Sequence, residues 1–335
     1  MMKSIRKALV VVGLVAAVCS CNTNKNQKIQ FSGKAQGTYY AVTYYDSLGR
    51  DFRPSIDSLL TEFDNTASLW VDTSVVRRVN ANENMCVNPL FADLFAKSQG
   101  ISKATDGYFD ITVGKLVNAW GFGFSEAANV DAAVIDSLKQ YVGYDKLAIH
   151  NDTLLVKENP CTELDFNAIA QGYSVDMVGD FLKSKGVQNF LVDIGGEVLA
   201  YGSKPDGGRW LVGIEKPAQN KYSTQEVDVK IALTDKSVVT SGNYRKYYEA
   251  DGVKYSHTID PFTGYPVKHT LLSVSVVALE AWEADAMATA FMVMGLEKAL
   301  EFLENTDKYE AYFIYTENGD YKTYSTKGFD DMIVK

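Results

Sequence analysis

The sequence is poor in cysteine, in histidine and in positive charge. Its 335 residues include four cysteines, too few for a disulfide scaffold. Lysine and arginine total 33 against 42 acidic residues, which gives a formal net charge of −9. An acidic chain without a basic run is a poor candidate for binding nucleic acid or an anionic membrane surface. A phosphorylated ligand would need a local metal ion or helix N-termini to neutralise its charge.

Long apolar runs are also scarce, and the most prominent one lies at the N-terminus. Ala8–Val18 follows Lys3, Arg6 and Lys7, and it is too short to span a bilayer as a helix. A positive segment followed by a short apolar one is typical of an export signal. We therefore predict that residues 1–20 are a signal peptide.

The end of this signal contains two cysteines. The sequence Val18-Cys19-Ser20-Cys21 resembles a bacterial lipobox. This resemblance predicts that Cys21 carries lipid chains, palmitate among them, and becomes the new N-terminus. An ordinary secretory cleavage nearby is the alternative. Residues 21–28 are predicted to be a flexible tether and residues 29–335 the folded unit. We expect a protein attached by lipid to a bacterial membrane, inner or outer, and facing the periplasm.

Cys86 and Cys161 are the cysteines left in the predicted folded unit. In an oxidising compartment they could form a disulfide, and two buried free thiols are an equally acceptable outcome.

Hydrophobic patterns in the remaining chain predict an α+β fold with no internal repeat. Ile56, Leu60 and Phe63 follow helical spacing, and longer helices are expected at Ala168–Lys185 and at Ala281–Asn305, the latter bent at Gly295. The centre and the C-terminal half are rich in strand patterns. We expect one α+β unit, with a division into two lobes left open.

The first segment that could carry chemistry contains Asp285 and Thr289. These residues lie four apart on a predicted helix, so their side chains share one face. A carboxylate and a hydroxyl are hard oxygen ligands that suit Mg²⁺ or Ca²⁺. Alternatively, the aspartate stabilises a helix N-terminus and the threonine bonds a carbonyl within its own helix.

The second segment runs from Asp165 to Gly172 into a long helix, and an apolar strand ending at Gly195-Gly196 follows it. Paired glycines let a backbone approach a ligand closely or turn tightly. Asp165 could cap the helix. The glycine spacing excludes a P-loop or a dinucleotide fingerprint, so by itself this segment predicts a turn and a cap.

The third segment has His257 at the end of a predicted strand. A loop should follow, because the next residues include the turn sequences Asp260-Pro261 and Gly264-Tyr265-Pro266. A histidine in this position could be a general base or acid, or it could be structural.

Together, six segments in order resemble the ApbE family of bacterial lipoproteins, the FAD:protein FMN transferases. The resemblance covers most of the mature chain. The segments are Gly37-Thr38, Thr105–Asp110 with Trp120–Gly123, Asp165–Gly172, Val192–Glu197, His257–Gly264 and Asp285–Thr289.

This resemblance implies an ApbE-like catalytic unit related to the T-fold, with a mainly antiparallel sheet and flanking helices. It implies Mg²⁺-dependent transfer of the FMN half of FAD to a Thr or Ser hydroxyl of an exported flavoprotein subunit, with release of AMP. The acceptor would belong to a redox-driven membrane complex. The implied metal ligands are Ala168, Asp285 and Thr289, the implied base is His257, and the implied FAD contacts are Trp120, Gly121, Phe122, Asp165, Gln171 and Ile259.

Two other functions stay open at this point. With water as the acceptor, the same site would be a Mg²⁺-dependent FAD pyrophosphatase that yields FMN and AMP. Without turnover, the protein would be a lipoprotein that binds FAD.

Overall fold

A computed structural model describes residues 26–123, 130–217, 226–243, 247–250 and 253–334. The predicted signal peptide and Cys21 lie outside these ranges. The helices are α1 Arg53–Ala67, α2 Val75–Asn80, α3 Pro89–Ala104, α4 Gly114–Ala119, α5 Ala132–Lys139, α6 Ala170–Ser184, α7 Ala281–Met294, α8 Leu296–Glu304 and α9 Lys327–Asp330. The strands are β1 Gln27–Ala35, β2 Thr38–Asp46, β3 Leu147–His150, β4 Leu154–Lys157, β5 Phe190–Ile194, β6 Glu197–Tyr201, β7 Trp210–Glu215, β8 Val227–Leu233, β9 Lys236–Gly242, β10 Tyr247–Ala250, β11 Val253–Ser256, β12 Leu271–Ala278, β13 Glu310–Glu317 and β14 Asp320–Ser325.

Eight strands form one sheet in the order β1-β2-β5-β6-β9-β12-β13-β14. Every neighbouring pair in it is antiparallel. The strand pairs β3–β4, β7–β8 and β10–β11 are separate antiparallel ladders. The predicted α+β fold with a mainly antiparallel sheet is therefore confirmed.

Helices cover one face of this sheet. Helix α6 packs on β5 and β6, and α7 packs on β9 and β12. Helix α7 is apolar nearly all round, as expected for a helix enclosed by other elements. Helix α1 lies outside α6, where Phe63 stacks on Tyr173 with 5.6 Å between ring centroids. The first turn of α6 is thus held between the outer helix and α7.

The β7–β8 ladder and α9 cover the opposite face. Strand residues alternate between the two faces, so Val198 packs with Trp210 and Phe329, while its neighbour Leu199 packs with the α6 side. The central strands of the sheet are therefore buried on both faces, which fixes their register.

Two predicted boundaries are wrong. Gln27 and Lys28 belong to β1 rather than to a tether, because they pair with Asp46 and Tyr45. The helix expected to bend at Gly295 is two helices, since Gly295 has φ +76° and ends α7.

Neither outcome considered for the cysteines is observed. Cys86 and Cys161 are free thiols, and both are exposed. Cys86 lies in a surface segment that pairs with Leu154, and Cys161 follows Asn159 in a loop. Within the described part of the chain, no helix is both long enough and apolar enough to cross a membrane.

Candidate active site

The backbones of α6 and α7 touch at Gly172. A Cβ atom at this position would lie 2.3 Å from the Ala281 carbonyl oxygen and 2.7 Å from Cβ of Asp285. Real Cβ contacts are not that short, so the approach of the two helices requires glycine. The sequence segment Asp165–Gly172 is thereby placed against Asp285.

Asp285 accepts a hydrogen bond from a backbone N–H group in the first turn of α6. Helix α6 begins at Ala170, so the Gly172 N–H is one of the first-turn groups that have no acceptor within the helix. Here it donates to Oδ2 of Asp285 at 2.9 Å. No hydrogen bond from the described residues reaches the Ala168 carbonyl oxygen. The segment that enters α6 therefore meets the Asp285 carboxylate and keeps one carbonyl oxygen that these residues do not bond.

The Asp285 carboxyl group is buried, with 5% of the residue exposed. Burial raises the pKa of Asp285 to about 7, and the Gly172 N–H acts in the opposite direction. A buried carboxylate is costly unless a positive partner accompanies it. The positive end of the α6 dipole supplies part of that charge.

Thr289 lies one turn further along α7 and is partly buried. Its Oγ1 is 3.5 Å from Oγ of Ser241 on β9. The same helix face therefore presents Asp285 to α6 and Thr289 to β9. Ser241, which the sequence patterns did not single out, adds a second hydroxyl here.

Asp165 does not cap α6, contrary to the expectation from sequence. The helix begins at Ala170, and Oδ1 of Asp165 instead accepts the Asn167 N–H at 2.8 Å, which forms a local turn. Burial raises the pKa of this carboxyl to about 6, and the hydrogen bond from Asn167 lowers it in part.

Gln171 extends toward the turn between β5 and β6. A Cβ at Gly195 would lie 2.5 Å from Nε2 of Gln171 and 2.9 Å from Cγ2 of Thr38. Gly195 has φ +68°, so its conformation as well as its surroundings favours glycine. This contact joins three of the sequence segments.

The hairpin turn between β1 and β2 adjoins this contact. Gln36 and Gly37 have φ values of +54° and +72°, as in a tight two-residue turn. The side-chain amide nitrogen and oxygen of Gln36 are buried, and no described residue bonds to them. A ligand at this edge would find a donor and an acceptor that the described residues do not engage.

Trp120 and Ile259 pack into the same small apolar cluster. The Trp120 Nε1–H donates to the carbonyl of Gly264 at 2.8 Å, and its ring lies 5.5 Å from that of Tyr265. The indole therefore fixes the loop that follows His257. Gly121, next to it, has φ +77° and turns the chain.

His257 is half-buried beside Phe122. Their ring centroids are 6.4 Å apart in an edge-on arrangement. Ile259, two residues on, pairs with Pro266 and closes the loop. These residues lie along one side of the site. We call Trp120, Gly121, Phe122, His257 and Ile259 together the aromatic wall, after its three rings.

Glu163 connects this wall to the α6 segment. It pairs with Val113 and forms an ion pair with Lys115 at 2.9 Å, both next to or in α4, the helix that leads to Trp120. Two residues later, the Asp165 N–H donates to the Ile111 carbonyl at 2.7 Å. The chain entering α4 and the chain entering α6 are therefore held side by side.

Known proteins are similar to this chain over most of its length. Residues 36–313 match the model of the ApbE family. A relative from Vibrio cholerae, named FAD:protein FMN transferase, is 33% identical over 339 residues, which covers 98% of this chain and 100% of the relative. An Escherichia coli K12 relative of the same name is 32% identical and covers 98% and 95%.

This chain belongs to the ApbE family. A solved structure of the flavin transferase ApbE from Vibrio cholerae matches with a TM-score of 0.81 at 32% identity, covering 92% of this chain and 99% of that one. The apo flavinyl transferase ApbE of Pseudomonas stutzeri matches with a TM-score of 0.82 at 36% identity, covering 92% and 97%. The predicted family and the prediction of an enzyme are confirmed.

Sequence reasoning missed a buried acid on α6, the helix that begins at this site. Asp176 lies on α6 among Val175, Val178 and Leu182, and it is 6% exposed. A charged residue on the apolar face of a predicted helix is the signal that could have identified it.

Proposed function

We propose that this protein is a Mg²⁺-dependent FAD:protein FMN transferase. It moves the FMN half of FAD onto a Thr or Ser hydroxyl of an exported flavoprotein subunit and releases AMP. The names of relatives about one-third identical over nearly the whole chain support the transferase activity. The observation that carries the metal site is the bond from Gly172 to Asp285, beside a turn whose Ala168 carbonyl oxygen accepts no hydrogen bond from the described residues.

The residues at this position fit a hard divalent cation. Asp285, Ala168 and Thr289 offer a carboxylate, a carbonyl and a hydroxyl oxygen, the ligand types that Mg²⁺ prefers. The buried Asp285 carboxylate needs positive charge, which a cation would supply. Bound there, Mg²⁺ would neutralise charge on the FAD diphosphate and stabilise the departing AMP.

FAD would lie between the aromatic wall and the start of α6. Trp120, Gly121, Phe122 and Ile259 would contact it on one side, and Asp165 and Gln171 on the other. The Trp120 indole N–H is already bonded to Gly264, so its part would be to shape the wall rather than to donate to FAD. Phe122, less buried than Trp120, offers a ring for stacking.

His257 would act as the general base. A neutral imidazole accepts the proton of the acceptor hydroxyl as the hydroxyl oxygen forms a bond to the FMN phosphorus. The bond from that phosphorus to the AMP oxygen breaks, and AMP leaves with the electron pair. Phe122 beside the ring limits the orientations that His257 can adopt.

We also propose that the enzyme is a lipoprotein that faces the periplasm, anchored through Cys21. In the producing bacterium, Cys21→Ser should move the protein from the membrane fraction to the soluble exported fraction. Retention of the variant in the membrane fraction would contradict the lipid anchor.

The transferase reaction can be tested with FAD, Mg²⁺ and an exported flavoprotein subunit that contains an acceptor threonine. We expect flavin fluorescence on the denatured subunit and one AMP per flavin attached, and neither with the Thr→Ala subunit. Free FMN with an unmodified subunit would instead indicate a pyrophosphatase. Absence of AMP would exclude both enzymes and leave an FAD-binding protein.

A further inference from the structure

Asp176 caps the N-terminus of α7 from the neighbouring helix. Its Oδ1 accepts the Ala281 N–H at 3.0 Å, and its Oδ2 accepts the Trp282 N–H at 2.8 Å. Helix α7 has no side-chain cap of its own, since Glu280 makes no such bond. Both oxygens of a buried carboxylate are therefore committed to holding one helix end.

The two helices exchange caps. Asp285 on α7 accepts the Gly172 N–H of α6, while Asp176 on α6 accepts the first N–H groups of α7. Each acid lies four residues beyond the capped glycine or alanine of its own helix, so acid and capped end share one face. The two helix backbones are in contact at Gly172, the residue whose N–H group Asp285 caps.

Burying the Asp176 carboxylate between the helices costs more free energy than apolar packing would. Burial raises the pKa of Asp176 to about 7, and the charges of Glu280 and Asp180 act in the same direction, while the two N–H bonds lower it. Leucine or alanine would pack two helices without that cost. What the carboxylate provides is a fixed position of α7 along α6, which packing between apolar faces would leave less well defined.

We propose that Asp176 is a positioning residue of the metal site: by fixing the N-terminus of α7 it sets the Asp285 carboxylate against the start of α6. This inference rests on the function proposed above. Groups that orient metal ligands typically alter metal affinity by about 10–100-fold when removed.

Metal binding by the apoprotein tests this directly, without turnover. Mn²⁺ affinity is measured by the loss of its free electron paramagnetic resonance signal, and thermal unfolding is recorded for each variant. Asp176→Ala should weaken Mn²⁺ binding by about 10–100-fold. Asp176→Asn, which keeps one acceptor oxygen, should weaken it less, by at least about threefold.

Asn88→Ala is the matched control, because it removes the cap of α3, where Asn88 accepts the Phe91 N–H at 2.8 Å. It should lower the unfolding midpoint by a few degrees, as we also expect for Asp176→Ala, yet leave Mn²⁺ affinity within about twofold. Equal weakening in both variants would reduce Asp176 to a stabilising residue and overturn the proposal.

Failure of this inference is distinguishable from failure of the proposed metal site. If Asp285→Asn abolishes Mn²⁺ binding and Asp176→Ala does not change it, only the positioning role is wrong. If Asp285→Asn binds Mn²⁺ like the wild type, the ion lies elsewhere and both are wrong. Should Asp176→Ala fail to fold, wild-type affinity in Asp176→Asn overturns the proposal equally.

Discussion

The α6–α7 junction and the aromatic wall are built in different ways. At the junction, buried carboxylates bond backbone N–H groups of two regular helices whose backbones are in contact. In the wall, rings on loops pack against each other, and Trp120 bonds a loop carbonyl. The first region is charged and built on helix backbones, while the second is apolar around a single titratable ring.

This difference separates the two tasks of the proposed reaction. A cation needs oxygen ligands held at fixed positions, which helix backbones provide. A general base must reach an incoming hydroxyl from another protein, and loops at the surface are suited to that. Substitutions should therefore affect metal binding at the junction and proton transfer at the wall.

The largest effect is expected from Asp285→Asn. The amide can still accept the Gly172 N–H, but it lacks the charge that a cation requires. We expect FMN transfer to fall on the order of 10⁴-fold, equivalent to the several kcal/mol that a bound metal supplies. Asp180→Asn, an exposed aspartate on α6, should stay near wild type. Activity of Asp285→Asn above one-tenth of wild type would place the metal elsewhere.

His257→Ala should come next, with a loss of about 10²–10⁴-fold in the rate of transfer. FAD affinity, measured by flavin fluorescence quenching, should change little because the wall keeps its other rings. His150→Ala on the exposed end of β3 is the control. An equal loss of FAD affinity in His257→Ala would make this histidine a binding residue.

Gly172→Ala tests the contact between the helices. The added methyl group would meet backbone atoms at 2.3 Å, so we expect a loss of about 2–3 kcal/mol in the free energy of unfolding. Gly100→Ala, in open space within α3, should instead stabilise by about 0.5–1 kcal/mol. Urea unfolding measures both. Equal stabilities of the two variants would contradict the close approach.

The smallest effect is expected from Asp165→Asn in the metal-free protein. Burial raises the pKa of Asp165 to about 6. The protonated carboxyl group therefore contributes to the free energy of unfolding below about pH 4, and this contribution is lost as pH rises through 6. The variant should equal wild type in urea unfolding near pH 4 and exceed it by about 1–3 kcal/mol at pH 8. A difference that does not depend on pH would contradict this burial.

Periodicity and capping residues predicted most of the regular elements. The helical spacing of Ile56, Leu60 and Phe63 corresponds to α1, and the helix predicted at Ala168–Lys185 is α6 with its ends moved by one or two residues. The short helix α2 was missed, because six residues carry too little periodicity to detect. Gly295 was expected to bend one helix, yet its positive φ separates two.

The sequence by itself determined the fold class, the family and the residues offered as metal ligands, because local patterns and motif order are encoded along the chain. Only the tertiary structure decided what Asp285 and Asp176 bond to. Their partners, Gly172 and Ala281, lie more than one hundred positions away in sequence. A hydrogen bond depends on distances of about 3 Å in space, and those distances are set when α6 and α7 pack on the same sheet.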